Sequence, residues 1–399
     1  MSAAMLVDDR FTSVAAKFFS LFGAPRKGGG AVAVYLHGEP VVDIWAGWAT
    51  PDRPWRADTM ALSFSTSKGV AATVLHRLAD RGFIDYDARV ADYWPEFAAQ
   101  GKGEITVRDV LRHRAGLQRI RGLLPDTDDL YEHDAVAAAL AASAPDPLRL
   151  KASGYHAITF GTLVAEIAQR ATGRDFRDLV REELAVPLGD SDFWFGVPAQ
   201  QRGRVARLGP RANIAKLPVD RLLGVAAAIP PLRSLRGVVY DGMLNAAQFS
   251  DRPFDAMMPG WNGVFTARSV ARMYAAIAND GWVGNQRLLK PETVARITEM
   301  PFNSKFDYVL GAAPNHSLGY HRAIVGTKLR RDSLGHFGIG GSGGIAMPGL
   351  GLSIAFVTNH LGNRASSLGD ARLPVLAALA ARAARTDPGI ERLPAAAAG

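Results

Sequence analysis

Ser65-Thr66-Ser67-Lys68 puts a hydroxyl and an amine three positions apart, a spacing that makes them neighbours on one face of a helix. A serine hydroxyl attacks a carbonyl effectively only when a base takes its proton as it does so. An amine serves as that base once partial burial or a nearby cation lowers its pKa. The first turn of a helix adds the positive end of the helix dipole, which favours negative charge growing on the serine oxygen. Ser67 offers no equivalent pair, because Val70 stands three positions beyond it. Alone, Ser-x-x-Lys also fits an ordinary surface helix start, so partners must come from elsewhere in the chain.

The elements that must position the pair can be read from periodicity. Phe11, Val14, Phe18 and Phe22 recur at helical spacing, a stripe suited to packing a terminal helix on a sheet. Apolar runs Ala31–Leu36 and Val41–Ala46 flank His37-Gly38-Glu39-Pro40 and predict a hairpin. A helix is expected from Ser65 to Arg81, with Val70, Ala71, Val74, Leu75 and Leu78 inward and Gly82 as its stop. From about 85 to 255 the pattern is helical and loop-like: Thr106 is placed to cap Val107–His113 and Thr159 to cap Phe160–Thr172. The stretch 200–260 is rich in Gly, Pro and Arg. A helix near Ser269–Asn279, strands Ser342–Met347 and Leu352–Thr358, and a helix Leu373–Arg385 with Pro374 in its first turn complete the chain. Strands at both ends with helices between predict an α/β fold: one sheet flanked by helices, built from 1–84 and 256–399, with a mostly helical domain, 85–255, inserted.

Composition narrows the function classes. Of 399 residues, 48% are hydrophobic and 21% charged, an ordinary globular balance. The absence of cysteine excludes thiol nucleophiles, disulfides and thiolate metal sites. No run approaches the ~18 uninterrupted apolar residues of a spanning helix, so integral membrane association is not expected. The chain starts with Asp8, Asp9 and Arg10 before an amphipathic segment, without the basic, apolar and small-residue order of a leader, which reads as cytoplasmic. The net charge of +8 is scattered along the sequence without basic runs interleaved with aromatics, so a nucleic-acid partner is not expected.

Further motifs supply the partners. Phe64-Ser65-Thr66-Ser67-Lys68-Gly69 ahead of an apolar helix resembles the active-site helix of class C β-lactamases, penicillin-binding proteins and family VIII carboxylesterases. Ile105–Leu117, ending in Leu111-Arg112-His113-Arg114-Ala115-Gly116-Leu117, resembles that superfamily's Leu-x-His-x-x-Gly-Leu segment. Gly154-Tyr155-His156-Ala157 resembles its tyrosine motif, and Gly335-His336-Phe337-Gly338-Ile339-Gly340-Gly341 its strand along the opposite wall. The four motifs stand in the superfamily's order and span roughly residues 30–360. The resemblance implies a β-lactamase/transpeptidase-like fold and an acyl-enzyme on Ser65. It makes Lys68 and Tyr155 the proton carriers and the backbone N–H groups of Ser65 and Ile339 an oxyanion hole. It also implies that His336, Phe337 and Gly338 border the substrate, that no metal or cofactor is used, and that His113 belongs to a structural turn.

Two departures bear on the substrate. Ala157 replaces the Asn with which β-lactamases contact the substrate amide, and His336-Phe337-Gly338 replaces Lys-Thr-Gly, whose lysine attracts a carboxylate. A histidine of ordinary pKa is mostly neutral at pH 7, so small esters without a carboxylate are the expected substrates. Cleavage of β-lactams or D-Ala-D-Ala peptides, acyl transfer within the same fold, and a non-catalytic binding protein are the competing readings. Trp261 and Asn262, with Leu222, Leu223, Met257 and Met258, are candidates either for an acyl pocket or for core packing. Gly340-Gly341-Ser342-Gly343-Gly344 also matches the Gly-x-Ser-x-Gly pentapeptide of α/β-hydrolases. Their order of serine, acid, histidine fails here, since only His360 follows Ser342 and no Asp or Glu lies between them. Ile345-Ala346-Met347-Pro348-Gly349 moreover reads as a strand ending in a turn, not the helix that such a serine requires.

Overall fold

The computed structural model describes residues 4–22, 28–126, 128–208, 237, 250–299, 306–307, 309–310, 312–361 and 370–386. Leu222, Leu223 and the Ala-rich end of the chain lie outside the described residues. One antiparallel sheet joins the two ends of the chain. Its strands are β1 (Leu6–Val7), β2 (Gly29–Leu36), β3 (Glu39–Thr50), β4 (Arg53–Pro54), β5 (His321–Val325), β6 (Lys328–Phe337), β7 (Gly343–Met347) and β8 (Leu352–Thr358). The order is β1-β3-β2-β8-β7-β6-β5, with β4 paired to the end of β3. At the centre β2 meets β8, Ala31 opposite Val357 and Val32 opposite Phe356, which closes the halves expected to be distant in sequence. The β5–β6 hairpin lacks strand alternation in sequence, because Lys328, Arg330, Arg331 and Asp332 fill the half of β6 that runs along the sheet's outer end.

Alternate residues along the central strands differ in size, and this decides what covers each face. Val32, Val34, Leu36, Ile354 and Phe356 face helices α1 (Thr12–Ser20) and α5 (Arg372–Ala384), where Phe11, Val14 and Phe18 are buried. The phenylalanine stripe therefore packs on the sheet, each buried ring contributing roughly 1.5–3 kcal/mol. The opposite face carries Ala31, Ala33, Ala346 and Ala355 with Gly344, small residues that let helix α4 (Ala267–Ala278) lie close. A Cβ at Gly344 would sit 2.4 Å from the Tyr274 ring. This second core continues into helix α2 (Thr66–Asp80) and helix α3 (Thr159–Thr172).

Local signals hold with one exception. Thr106 caps Val107–Leu111 through a reciprocal box with Asp109, and Gly82 and Gly173 end α2 and α3 with positive φ of 81° and 70°. Thr159 does not cap α3: it is the first helical residue, and its hydroxyl donates instead to the Leu117 carbonyl, tying the helix to the segment before it. Among the described residues no helix is long and apolar enough to cross a membrane.

Candidate active site

Helix α2 begins under strain. Phe64, buried and bulky, takes φ of +48°, a conformation that costs on the order of 1–3 kcal/mol and turns the chain sharply before Ser65. Three bonds hold the turn. Ser63 N–H donates to the Gly263 carbonyl, Gly263 N–H donates to Ser67 Oγ at 2.9 Å, and Thr66 Oγ1 donates to the Ser342 carbonyl at 3.0 Å. Ser67 is thereby occupied as a structural acceptor, and Ser65 is left as the partly exposed hydroxyl of the segment.

Lys68 is fully buried, and among the described residues no carboxylate pairs with it. Its Nζ lies 3.2 Å from Ser65 Oγ and donates to the carbonyls of Ala157 and Gly260, each at 2.6 Å. Burial pushes the ammonium pKa well below its usual value. A neutral amine has two N–H donors and one lone pair; the two carbonyls take the donors, which leaves the lone pair for the Ser65 proton. Gly260 reaches this position because α3 presents Gly161 to it. A Cβ at Gly161 would fall 1.8 Å from Gly260 N, so only glycine permits the approach.

Tyr155 arrives on the turn 154–157, which two neutral histidines fix. His113, itself at φ of +57°, accepts the His156 N–H at Nδ1, 3.1 Å, and its carbonyl accepts the Gly154 N–H. His156 Nε2 accepts the Leu117 N–H at 3.1 Å, so its proton sits on Nδ1 and is donated to the Gly154 carbonyl at 2.6 Å. Burial lowers the His156 pKa to about 4, and burial with His316, His156 and Lys68 nearby holds that of His113 well below 6.5. His113 therefore serves a structural turn, as the resemblance implies. The Tyr155 ring centroid is 5.0 Å from Lys68 Nζ. Burial raises the phenol pKa far above its usual range, a hydrogen bond with Ser65 offsets part of the rise, and the Asp307 charge adds to it.

The opposite wall is the end of β6. Gly338 is wedged against the start of α2, where a Cβ would lie 2.4 Å from the Ser63 carbonyl and 3.1 Å from Ser65 N. Gly338 N–H donates to the Ser342 carbonyl and Gly341 N–H to the Gly338 carbonyl, shaping a turn around Ile339. Among the described residues neither the Ser65 nor the Ile339 N–H donates to another group. His336 is buried with its ring 6.2 Å from that of Tyr155; Nδ1 is 3.3 Å from the Phe337 carbonyl and Nε2 has no partner among the described residues. Burial, with His321, Lys68 and His316 nearby, pushes its pKa well below 6.5, so the imidazole that stands at this point of the wall is uncharged. The Phe337 ring turns away to pack edge-on against His321 at 4.4 Å and remains 39% exposed.

Other candidates have structural places. Trp261, Met257 and Met258 are buried in the core, and the Asn262 amide ties its own loop to Pro253, Ala256 and Met258. Ser342 is buried, its Oγ accepting from Thr358 N–H, with a strand directly after it. The structure adds groups that sequence reasoning did not find: the carbonyls of Ala157 and Gly260, and a buried Asp307 with His316 behind Tyr155. Backbone carbonyls leave no mark in a sequence, and neither Asp307 nor His316 lies in a recognisable motif.

Comparison with known proteins agrees with this arrangement. Residues 15–379 match the profile of the Beta-lactamase family. An esterase/β-lactamase, LipL, of Mycobacterium tuberculosis is 44% identical over 359 residues, covering 89% of this chain and 82% of that protein. A solved family VIII carboxylesterase superposes with a TM-score of 0.80 at 35% identity, covering 96% of this chain and all of that one. A penicillin-binding protein homologue from Caulobacter crescentus superposes with a TM-score of 0.78 at 31% identity, over 94% and 99% of the two chains. With a serine, a buried amine and a phenol converging inside a fold shared over most of its length, the chain belongs to the Beta-lactamase family.

Proposed function

We propose that the protein is a serine hydrolase that cleaves small carboxylic esters through an acyl-enzyme on Ser65. The observation that carries this reading is Lys68, a buried amine with two carbonyl acceptors and the Ser65 hydroxyl as its third neighbour. Ser65 Oγ attacks the ester carbonyl while Lys68 takes its proton, and the N–H groups of Ser65 and Ile339, which have no acceptor among the described residues, hold the oxygen that becomes negative. Tyr155, a neutral phenol, gives its proton to the departing alcohol and is reprotonated by the Lys68 ammonium. Water then repeats the sequence on the acyl-serine and frees the acid. His336, buried and uncharged, gives a substrate carboxylate no cation, and Ala157 gives an amide no polar side chain, which favours simple esters; the Phe337 backbone and Gly338 complete that wall.

The 44%-identical relative carries both esterase and β-lactamase in its name, and that favours β-lactams as a second substrate class. Turnover of p-nitrophenyl butyrate and of nitrocefin, measured for wild type and Ser65→Ala, separates the readings. Ester hydrolysis that is abolished in Ser65→Ala, with slow or no nitrocefin turnover, is the expected result. Turnover of nitrocefin alone would reverse the assignment, and ester turnover surviving in Ser65→Ala would remove the nucleophile.

A further inference from the structure

Asp307 is fully buried and faces no lysine or arginine among its bonded partners. Its carboxylate is nonetheless satisfied: Oδ1 accepts the N–H groups of Val309 and Leu310 at 2.9 and 3.0 Å, and Oδ2 accepts Ser153 Oγ–H at 2.8 Å, with His316 Nε2 at 3.3 Å. All of this surrounds Tyr155. Ser153 lies two residues before it, Val309 packs on it, and the His316 ring lies parallel to the phenol, 7° between planes and 5.9 Å between centroids. A buried carboxylate is costly to keep and an apolar residue would stabilise the fold as well or better, so its placement behind a reacting group points to function.

We propose that Asp307 and His316 are positioning residues for Tyr155: the carboxylate anchors the imidazole and the Ser153 turn, and the two together hold the phenol where it can deliver its proton. This rests on the proton-carrying role given to Tyr155 above. Neither residue touches the ester. The step they serve moves one proton from the Tyr155 oxygen to the leaving oxygen as the acyl C–O bond breaks, while the Lys68 ammonium returns one to Tyr155. The charge of Asp307 also disfavours a tyrosinate, which keeps the proton on the phenol until it is needed.

The test is leaving-group dependence. An alkoxide must be protonated to leave and p-nitrophenolate need not be, so mispositioning of Tyr155 penalises ethyl butyrate far more than p-nitrophenyl butyrate. A merely structural defect lowers both alike. In kcat/KM, Asp307→Asn and His316→Phe are expected to lose about tenfold or more on ethyl butyrate and about threefold or less on p-nitrophenyl butyrate. His316→Gln, which can still donate to Asp307, should recover part of the loss. Tyr155→Phe should show the same discrimination, and adding Asp307→Asn to it should not deepen it. Equal losses on the two esters, or discrimination that adds to that of Tyr155→Phe, overturn the proposal. Discrimination in Tyr155→Phe but in neither Asp307→Asn nor His316→Phe overturns the pair alone. Its absence in Tyr155→Phe overturns the role of Tyr155, and the pair falls with it. Should Asp307→Asn fail to fold, His316→Phe against His316→Gln decides.

Discussion

A lysine closed off from water, with no counter-ion among the described residues, has its charged form penalised by lost hydration, and that penalty is what turns Lys68 into a base. The rate should therefore rise with pH as Lys68 loses its proton and level off well before an ordinary lysine would, because the free amine is the working form. Lys68→Arg cannot deprotonate and is expected to lose about 10²–10⁴ in kcat with its acid limb gone; a kcat–pH profile of both proteins checks this. An acid limb retained in Lys68→Arg would assign it to another group. At this scale the sequence showed the Ser65 and Lys68 pair and, through resemblance, Tyr155. It could not show Asp307 and His316, since the loop that brings them to Tyr155 has no periodicity or spacing that announces it.

Between elements, the critical geometry is how closely α3 and the chain before Gly263 approach Lys68. Gly161 has no room for a Cβ beside Gly260, so Gly161→Ala must displace the Gly260 carbonyl from Lys68 or shift α3 itself. Overpacking of this kind costs about 1–3 kcal/mol. A lowered Tm is expected, together with a fall in kcat larger than any rise in KM; thermal melts and steady-state kinetics measure both, and unchanged kinetics would show that Gly260 does not set the amine. Strands β2, β3, β7 and β8 were legible because their apolar runs are bounded by glycine and turn residues. The β5–β6 hairpin was not, as its charged half faces water and needs no alternation. Thr159 misled for a tertiary reason: its hydroxyl found the Leu117 carbonyl, a partner that local sequence does not contain.

Across the molecule, five of the nine histidines, at 113, 156, 316, 321 and 336, gather around the site, and His76 is buried on the inner face of α2. Burial lowers the pKa of His76, His156 and His321 to about 4, and holds those of His113 and His336 well below 6.5. In the unfolded chain these groups take up protons near pH 6.5, so between 6.5 and 4 the unfolded state binds more protons and stability falls as pH falls. Each of the first three removes roughly 3 kcal/mol by pH 4, and together they rival the roughly 5–15 kcal/mol that folds a domain. Denaturant midpoints taken from pH 7.5 downward should drop steeply below pH 6, with acid unfolding complete before pH 4. A flat profile over that window would show that these rings are not held neutral. The sheet shared by both chain ends was readable from the distribution of strands. We propose that residues 85–255 are a helical insertion on that sheet, sharing the core that runs from α4 through α2 to α3.

The central claim is that one hydroxyl, Ser65, carries the acyl group. Peptide mass spectrometry after brief reaction with a fluorophosphonate, or after acid quench during turnover of p-nitrophenyl butyrate, tests it most directly. The added mass is expected on the peptide spanning Ser65 and is expected to vanish in Ser65→Ala. An adduct on the peptide containing Ser342, or on any other peptide, would contradict it.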